Sequence, residues 1–564
     1  VALTRPAVAA LLAATASAAG CLPRGPVPAG RRLLDDSTAY GVQFVPEPSG
    51  PGRLATLKLT APGPGAFSVY AVHEPASGEG LGTETFLIDS VDGLVTESGC
   101  LYGCPPSTDG QGRPFVSRNQ SITSNGAQLD RSSVARLDLV ADLAEDLGDS
   151  SNLIGTFAQR GAFAYTVQST LHVRDIEQQE AQFGRLQGTP TVLNDALYFA
   201  TRDPSSATIQ YTLYRLAAPP FDAPQTVVTG ITTFMAYPAP VLVLYRTMTA
   251  DTAAVSSVLD PATGLETPLP TGAGAVWSIS PSGRYLFMVR PPAASSGPPA
   301  PPSGGEGPDT EAPDGQTTIS LFDRTAGTVR SATLAQVNGS YWRPGRDELW
   351  FVAPGLGEAR SSLWRWAPDS DPAPVLAGQL PFMPLTSDAG KWPFTADGQY
   401  LLTFDGASQT DKPVIDLRAA DAPTDALLAL NPTGTGVQDV RQLPDGRLIV
   451  SDWITDSNQA DIYLVDGVAG TMTALGHGGN VVATGASRIL ARLDWVVGGG
   501  SGALSLIDLA SGATTRLAEN VHAVAVEAPS VPGTDPLAPG TRVAYVSRNR
   551  VASPYDGLWI VSLP

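Results

Sequence analysis

A five-residue pattern, Asp-x-x-x-Gly preceded by two apolar residues, returns five times along this 564-residue chain: Leu87-Ile-Asp89 to Gly93, Val258-Leu-Asp260 to Gly264, Leu321-Phe-Asp323 to Gly327, Leu464-Val-Asp466 to Gly470 and Leu506-Ile-Asp508 to Gly512. Its physical content is a strand that ends in an Asp able to accept hydrogen bonds from its own turn, followed by a Gly that supplies the positive φ from which the next strand turns back. A second pattern lies upstream of several copies: a polar corner containing Pro or Gly, then a strongly apolar strand. Examples are Ser280-Pro-Ser-Gly-Arg-Tyr-Leu-Phe-Met-Val289, Arg343-Pro-Gly-Arg-Asp-Glu-Leu-Trp-Phe-Val352, Thr395-Ala-Asp-Gly-Gln-Tyr-Leu-Leu-Thr-Phe404 and Leu443-Pro-Asp-Gly-Arg-Leu-Ile-Val450. Together they describe a unit of four antiparallel strands with a tight turn after the first and another after the third.

The spacing supports a tandem array. Asp466 and Asp508 are 42 residues apart, and Asp260 and Asp323 are 63 apart, about 40 once the excursion described below is removed. Residues 185–564 divided into eight units give about 47 residues each, inside the range of propeller blades. With 58 Gly and 50 Pro, about one residue in five breaks regular structure, which excludes long helical bundles. The fold class expected is therefore all-β: a seven- or eight-bladed β-propeller of four-stranded antiparallel blades, preceded by a β-rich N-terminal region.

These turn-strand motifs, with Asp461-Ile-Tyr-Leu-Val-Asp466, resemble the TolB-type, WD-like β-propeller repeats of bacterial envelope proteins and of the propeller domains of prolyl-oligopeptidase-like enzymes. The resemblance covers residues 185–564. Trp277, Trp342 and Asp445 fall where such repeats carry an aromatic or a turn acid. The unit near 230–250 lacks the Pro-Asp-Gly turn, and the unit near 480–495 has Thr484-Gly-Ala-Ser487 in its place.

Residues 37–184 read either as further degenerate blades or as a separate β-rich domain. Strand-like runs occur at Gly41–Val45, Leu54–Leu59, Phe67–His73 and Thr85–Ile88, and Leu137–Leu147 reads as a short helix. The chain ends on Leu558-Trp-Ile-Val-Ser-Leu-Pro564, which matches a third strand with no fourth to follow. A strand borrowed from upstream would close the ring and cover the exposed edge; Ala162–Val167 and Thr170–Val173 are expected to supply it. Residues 291–316 are low in complexity and rich in Pro, Gly and Ser, an insertion expected to be disordered.

The first twenty residues carry one charge, Arg5, and an apolar run from Ala7 to Ala14, the length and flanks of a secretory leader. The leader ends Ala18-Ala-Gly-Cys21, which resembles the bacterial lipobox. That resemblance implies lipidation at Cys21, a signal peptide over 1–20, a lipidated tether over 21–36, and attachment to the cell envelope. Ordinary cleavage after an Ala-x-Ala site is the alternative. Leu22 after the Cys, in place of Asp, points to the outer membrane. Cys100 and Cys104 lie in a turn-rich segment and are expected to form a disulfide. Four His, none at ligand spacing from another or from this pair, give no expected metal site or cofactor.

Loss of the leader would shift the formal charge from −19 to −20, a charge without the basic footprint that binding a nucleic-acid backbone requires. There is no Gly-x-Ser-x-Gly elbow, P-loop, dinucleotide fingerprint or HExxH motif. Gly148-Asp-Ser150 reads as a turn, and Asp456-Ser-Asn458 with Asp461, or Asp369-Ser-Asp371, as solvated acidic loops. Trp364, Trp366 and Trp453 read as packing between sheets. The sequence thus points to a non-catalytic, lipid-anchored binding or scaffold module for a protein or glycan partner, the membrane being reached through the anchor. The alternative is an envelope hydrolase or lyase that uses the central pocket.

Overall fold

A computed structural model describes residues 31–35, 41–47, 50–59, 67–75, 81–95, 107–124, 127–157, 162–175, 177, 179–202, 210–217, 223–237, 241–246, 255–270, 274–290, 316–354, 360–383, 393–406, 413–431, 436–454, 459–496, 501–529, 533–548 and 555–564. Among these every regular element is a strand, and none of them forms a helix long and apolar enough to cross a membrane. All neighbouring strands pair antiparallel, and they group into units of four. Six units are separate sheets; a seven-stranded sheet is two units sharing Thr83–Leu94, and a ten-stranded sheet is three units sharing Thr471–Thr484 and Thr514–Val526.

Eleven units result among the described residues, numbered here in chain order, with strands A to D from first to fourth in each. Eight of them, the last completed by Arg31–Asp35, follow residue 185, the upper of the two numbers expected for that span, and three lie within 41–183, so the ring closes through eleven units and not seven or eight. A sheet of four strands buries neither face alone, so each unit packs on its neighbours. Every consecutive pair shares one apolar cluster, for example Phe287 and Leu321 of unit 6 with Phe351 and Trp366 of unit 7. The eleventh closes on the first: Ala544, Val546, Leu558 and Ile560 meet Val42, Phe44, Leu54 and Val72 around the fully buried Leu34. The chain is an all-β propeller.

The repeated turns behave as their chemistry predicts. Asp323 accepts hydrogen bonds from the backbone N–H of Thr325 (2.9 Å) and Ala326 (3.1 Å), while Gly327, at φ 67°, donates to the Asp323 carbonyl at 2.8 Å. Asp260, Asp466 and Asp508 cap their turns in the same way. Three copies of the second pattern share one closing bond, Ser280 N–H donating to Tyr285 O at 2.9 Å, Arg343 N–H to Glu348 O at 3.0 Å and Thr395 N–H to Tyr400 O at 3.0 Å, while Leu443 N–H closes its turn one residue earlier on Arg447 O at 2.8 Å.

Four expectations are corrected. The first copy of the motif, Asp89 to Gly93, makes no reversal. It lies inside Thr83–Leu94, which runs on from the outer edge of unit 1 to the inner edge of unit 2, with Ser90 at φ 58°. Leu137–Leu147 is not helical: strand Ala127–Asp138 ends at a turn capped by Asp138, and Leu143–Asp149 returns beside it. The closing strand is not Ala162–Val167 or Thr170–Val173, because Phe163–Val167 and Thr170–Arg174 already have partners on both sides in unit 3. Arg31–Asp35 closes the ring instead, pairing with Gly557–Ser562. That strand takes up the last part of the segment expected as a tether, 21–36.

Candidate binding face

Strand direction sorts the connections onto two sides. Because successive strands are antiparallel, A–B and C–D turns share one side of the ring, and B–C and D–A connections share the other. The capped turns at 260–264, 280–285, 323–327, 395–400, 443–447, 466–470 and 508–512 all fall on the first side. The B–C connections of units 4 to 11, between Arg202 and Tyr211, Arg246 and Val255, Arg290 and Thr317, Pro354 and Ser361, Asp405 and Ile415, Ile454 and Gln459, Val496 and Ser501, and Ser547 and Gly557, all fall on the second. The insertion expected at 291–316 is one of these; apart from Gln316 it lies outside the described residues. Units 2, 8 and 11 place a longer connection on the tight-turn side, 95–114, 382–399 and 527–541. The first of these is pinched at its base, where Ser107 N–H donates to Val95 O at 2.7 Å and Val95 N–H to Phe115 O at 2.8 Å.

Charged groups are arranged as lattices between units. Buried Asp109 accepts from Arg113 Nε (2.8 Å) and Arg136 Nη1 (3.2 Å); Arg136 also pairs with Glu145, which pairs with Arg174, which reaches Glu180 at 2.8 Å. Glu180 closes this alternating ladder on His172 Nδ1 at 2.6 Å. Burial works to raise the Glu180 pKa, but hydrogen bonds from His172, Arg174 and Gln182 outweigh it and hold the group down to about 2. Between units 7 and 8, Arg343 donates to Gly398 O at 2.8 Å and to Asp421 Oδ1 at 2.7 Å, beside Glu348, which also accepts from Trp350 Nε1 at 2.8 Å. At the closure, Arg542 binds Glu527 through Nε and Nη2 (both 2.8 Å), Glu74 at 2.6 Å and Gly52 O at 2.7 Å, with Arg32 also on Glu74. Desolvation opposes ionisation of Glu527, yet the bonds from Arg542 and the Gly52 N–H prevail and its pKa falls.

The imidazoles are dispersed over different units: His73 meets Asp142 at 2.7 Å, and His477 meets Asp461 at 2.6 Å. Arg492 lies 4.5 Å from the Trp495 ring centroid and donates to Asn480 Oδ1 at 3.1 Å and to the His522 carbonyl. Burial lowers its pKa to about 10. One cavity of about 180 Å³ opens beside Val45, Arg53, Arg113 and Asp138 on the tight-turn side. A second, of about 200 Å³, opens on the long-loop side between units 10 and 11.

The predicted site residues Cys21, Cys100 and Cys104 all lie outside the described residues, as does Asp456-Ser-Asn458. Among the described residues no three His, Cys, Asp or Glu side chains gather as metal ligands. Asp461 is engaged by His477 and the Gly478 N–H (3.3 Å), and Asp369 and Asp371 are exposed on a turn. Gly148-Asp-Ser150 is not a free-standing turn: Gly148 and Asp149 end strand Leu143–Asp149, and Ser150 links it to Ser151–Thr156 where the chain crosses from unit 2 to unit 3, with Gly148 at φ 111° and Ser150 at 58°. Trp366 is buried, and Trp364 stacks on Phe351 at 6.0 Å, as packing residues should; the Trp453 side chain is outside the description. Trp342 packs beside the same cluster and donates to Ser278 Oγ at 3.1 Å, Trp277 is 44% exposed, and Asp445 accepts from Arg447 N–H at 3.1 Å in its turn. Sequence reading missed the ionic lattices because their partners are remote in the chain, Arg542 and Glu74 being 468 residues apart.

No family model matches the chain, and no curated protein matches it. Among solved structures it is similar to the β-propeller domain of the Trilobed protease from Pyrococcus furiosus, at 12% identity, over 59% of this chain and 95% of that one, with a TM-score of 0.28. It is similar also to Porphyromonas gingivalis dipeptidyl peptidase 4, at 13% identity, over 92% of this chain and 65% of that one, with a TM-score of 0.31. The oligogalacturonate lyase from Vibrio parahaemolyticus matches at 9% identity, over 81% of this chain and 99% of that one, with a TM-score of 0.24.

Proposed function

We propose that this chain is a non-catalytic, lipid-anchored protein of the bacterial cell envelope, sorted to the outer membrane, whose propeller offers its long-loop face to a protein or glycan partner. The observation that carries the reading is the polarity of the ring. In six of units 4 to 11 the B–C connection runs to six residues or more, those of units 9 and 10 being four residues, and all share one side, while the repeated capped turns share the other. Loops held by a rigid scaffold are where recognition residues concentrate, because they vary without disturbing the core.

Chain direction adds the orientation. Strand Arg31–Asp35 enters at the tight-turn side, since Arg31 pairs with Val561 at the end of the last strand and Asp35 with Leu558 at its start. Arg31 lies ten positions after Cys21, a stretch that spans at most about 35 Å. An acylated Cys21 would therefore hold the tight-turn side toward the bilayer and turn the long loops away from it. A net charge of −19 keeps such a surface soluble and favours neutral or cationic partners over polyanions.

The test is crosslinking and co-purification from detergent-solubilised envelopes, comparing the native chain with Cys21→Ser and with a chain in which 291–316 is replaced by a short Gly-Ser link. Cys21→Ser should release the protein from the membrane fraction, and loop replacement should weaken partner recovery. A Cys21→Ser protein that still sediments with membranes refutes the anchor. Undiminished recovery after several long loops have been shortened in turn refutes the face.

A further inference from the structure

The cavity between units 10 and 11 is lined by Tyr545, Tyr555, Trp559, Asn520, Glu519 and Arg31. Its aromatic side comes from strands and from the last B–C connection. Trp559 is held in place by donating Nε1–H to the Tyr555 carbonyl at 2.9 Å, and Tyr555 is 39% exposed at the rim. Its polar side comes from the crossing where Thr514–Val526 passes from the outer edge of unit 10 to the inner edge of unit 11. There Asn520 sits at φ 52°, a left-handed conformation in which a non-glycine residue is uncommon, and the Asn520 carbonyl accepts from Arg548 N–H at 3.0 Å. Ser547 Oγ donates to the Glu519 carbonyl at 3.3 Å and ties the crossing to the neighbouring strand. The mouth faces the long-loop side, because Asn520 and Tyr555 belong to D–A and B–C connections.

We infer that this cavity binds one neutral pyranose ring of a glycan, its apolar C–H face against the exposed ring of Tyr555, which stands over the buried Trp559 and Tyr545, and its hydroxyls toward Asn520, Glu519 and Arg31. The inference rests on the binding-module reading and deepens it by naming the ligand class. A cavity of about 200 Å³ has room for a single ring and not for a folded peptide segment. One aromatic wall opposed by an amide, a carboxylate and a guanidinium matches a ligand with one apolar face and a rim of hydroxyls that both donate and accept. Neutrality follows from charge. The chain carries −19, which disfavours approach of an anionic sugar, while at the mouth Glu519 is paired with Arg516 at 3.1 Å and Arg31 also holds the Tyr545 hydroxyl.

The experiment uses the full chain in detergent and methyl glycosides of glucose, galactose and mannose. Saturation-transfer NMR reads the sugar, and Trp fluorescence reads the pocket. Two variants accompany it: Tyr555→Ala, and Asn520→Gly, which keeps the positive φ while removing the amide. At least one glycoside should bind saturably with a Kd of about 1 mM, as expected for a ligand of this size, with its C–H protons saturated most strongly. Both variants, with unchanged melting temperatures, should weaken it tenfold or more. No saturable binding of any glycoside overturns the inference and leaves a protein partner for the long-loop face untouched. Binding that survives both variants overturns this site while leaving a glycan partner bound elsewhere on the ring.

Discussion

Leu34 is the residue on which ring closure can be tested most directly. It belongs to the N-terminal strand Arg31–Asp35, is fully buried, and packs among Val42, Leu54 and Val72 of unit 1 and Val546 and Leu558 of unit 11. Leu34→Ala removes three carbon atoms from a site walled on all sides by other core residues, so little collapse is available and the cost should be about 3–4 kcal/mol. In an open array that loss would be confined to the two terminal units. In a closed ring each unit leans on two neighbours, and weakening one interface exposes the edges of both units that it joined. With a slope of about 2 kcal/mol per molar, the urea midpoint for the closing units should fall by about 1.5–2 M.

The assay is urea unfolding followed by Trp fluorescence, with hydrogen exchange at intermediate urea to show which strands open first. Strands Arg542–Ser547, Gly557–Ser562 and Gly41–Glu47 should lose protection before the strands of units 5 to 8. As a control, Val329→Ala, at a 37% exposed strand position, should move the midpoint by less than about 0.3 M. A Leu34→Ala midpoint indistinguishable from the control, or first opening in units 5 to 8, would refute the argument that this strand holds the ring shut.

Other expectations follow from the lattices and the crossings. Glu180 and Glu527 have folded pKa values below their unfolded ones. Their stabilisation is therefore complete above about pH 5.5 and is lost as the pH falls through the folded values, for Glu180 toward about 2. Urea midpoints measured from pH 7 to pH 2.5 should decline below about pH 5, and Glu180→Gln should flatten part of that decline. The Arg343 side chain is only 3% exposed, and Arg343→Met should cost about 2–3 kcal/mol by removing its bonds to Gly398 O and Asp421, while Glu348 keeps Arg365 and Trp350 Nε1 as partners. Adding Glu348→Gln should deepen that loss in the same urea assay, because Arg365 then loses its carboxylate partner. A Cβ on Gly479 would lie 2.0 Å from the Arg492 carbonyl oxygen, where strand Thr471–Thr484 crosses between units. Gly479→Ala should cost about 3 kcal/mol. Gly264→Ala, at φ +70° with open space around it, should cost about 1–2 kcal/mol. Equal melting temperatures for these two variants would contradict the close approach at the crossing.

The repeated turns were legible in the sequence because their chemistry is local. An Asp that caps its own turn and a Gly four residues later carry the whole instruction within five positions, as at Asp323 to Gly327. The same local pattern misleads at Asp89 to Gly93, where the strand runs on across two units: the motif sets a preference, and packing of Val91 into the cluster between units 1 and 2 overrides it. The fully buried Leu137 and the buried Leu147 show the converse. An apolar spacing that suits a helix also suits two strands, and the choice fell to the clusters that take up these side chains on either side of unit 2. The candidate site was less legible. The cavity between units 10 and 11 draws on Arg31, Asn520 and Tyr555, and no stretch of sequence holds all three.

By itself, then, the order of residues determined a strand-and-turn unit and its recurrence, because each depends on neighbours within about fifty positions, whereas completion of the last sheet needs a strand from far outside that reach. Which strand answers that need, how many units enter the ring and which loops share a face were decided by tertiary structure. Those outcomes depend on whether Leu34 finds Val42 and Leu558, and on whether Arg542 finds Glu74 and Glu527, across most of the length of the chain. Burial and charge pairing act through space, and adjacency along the backbone carries no record of them until the ring has closed.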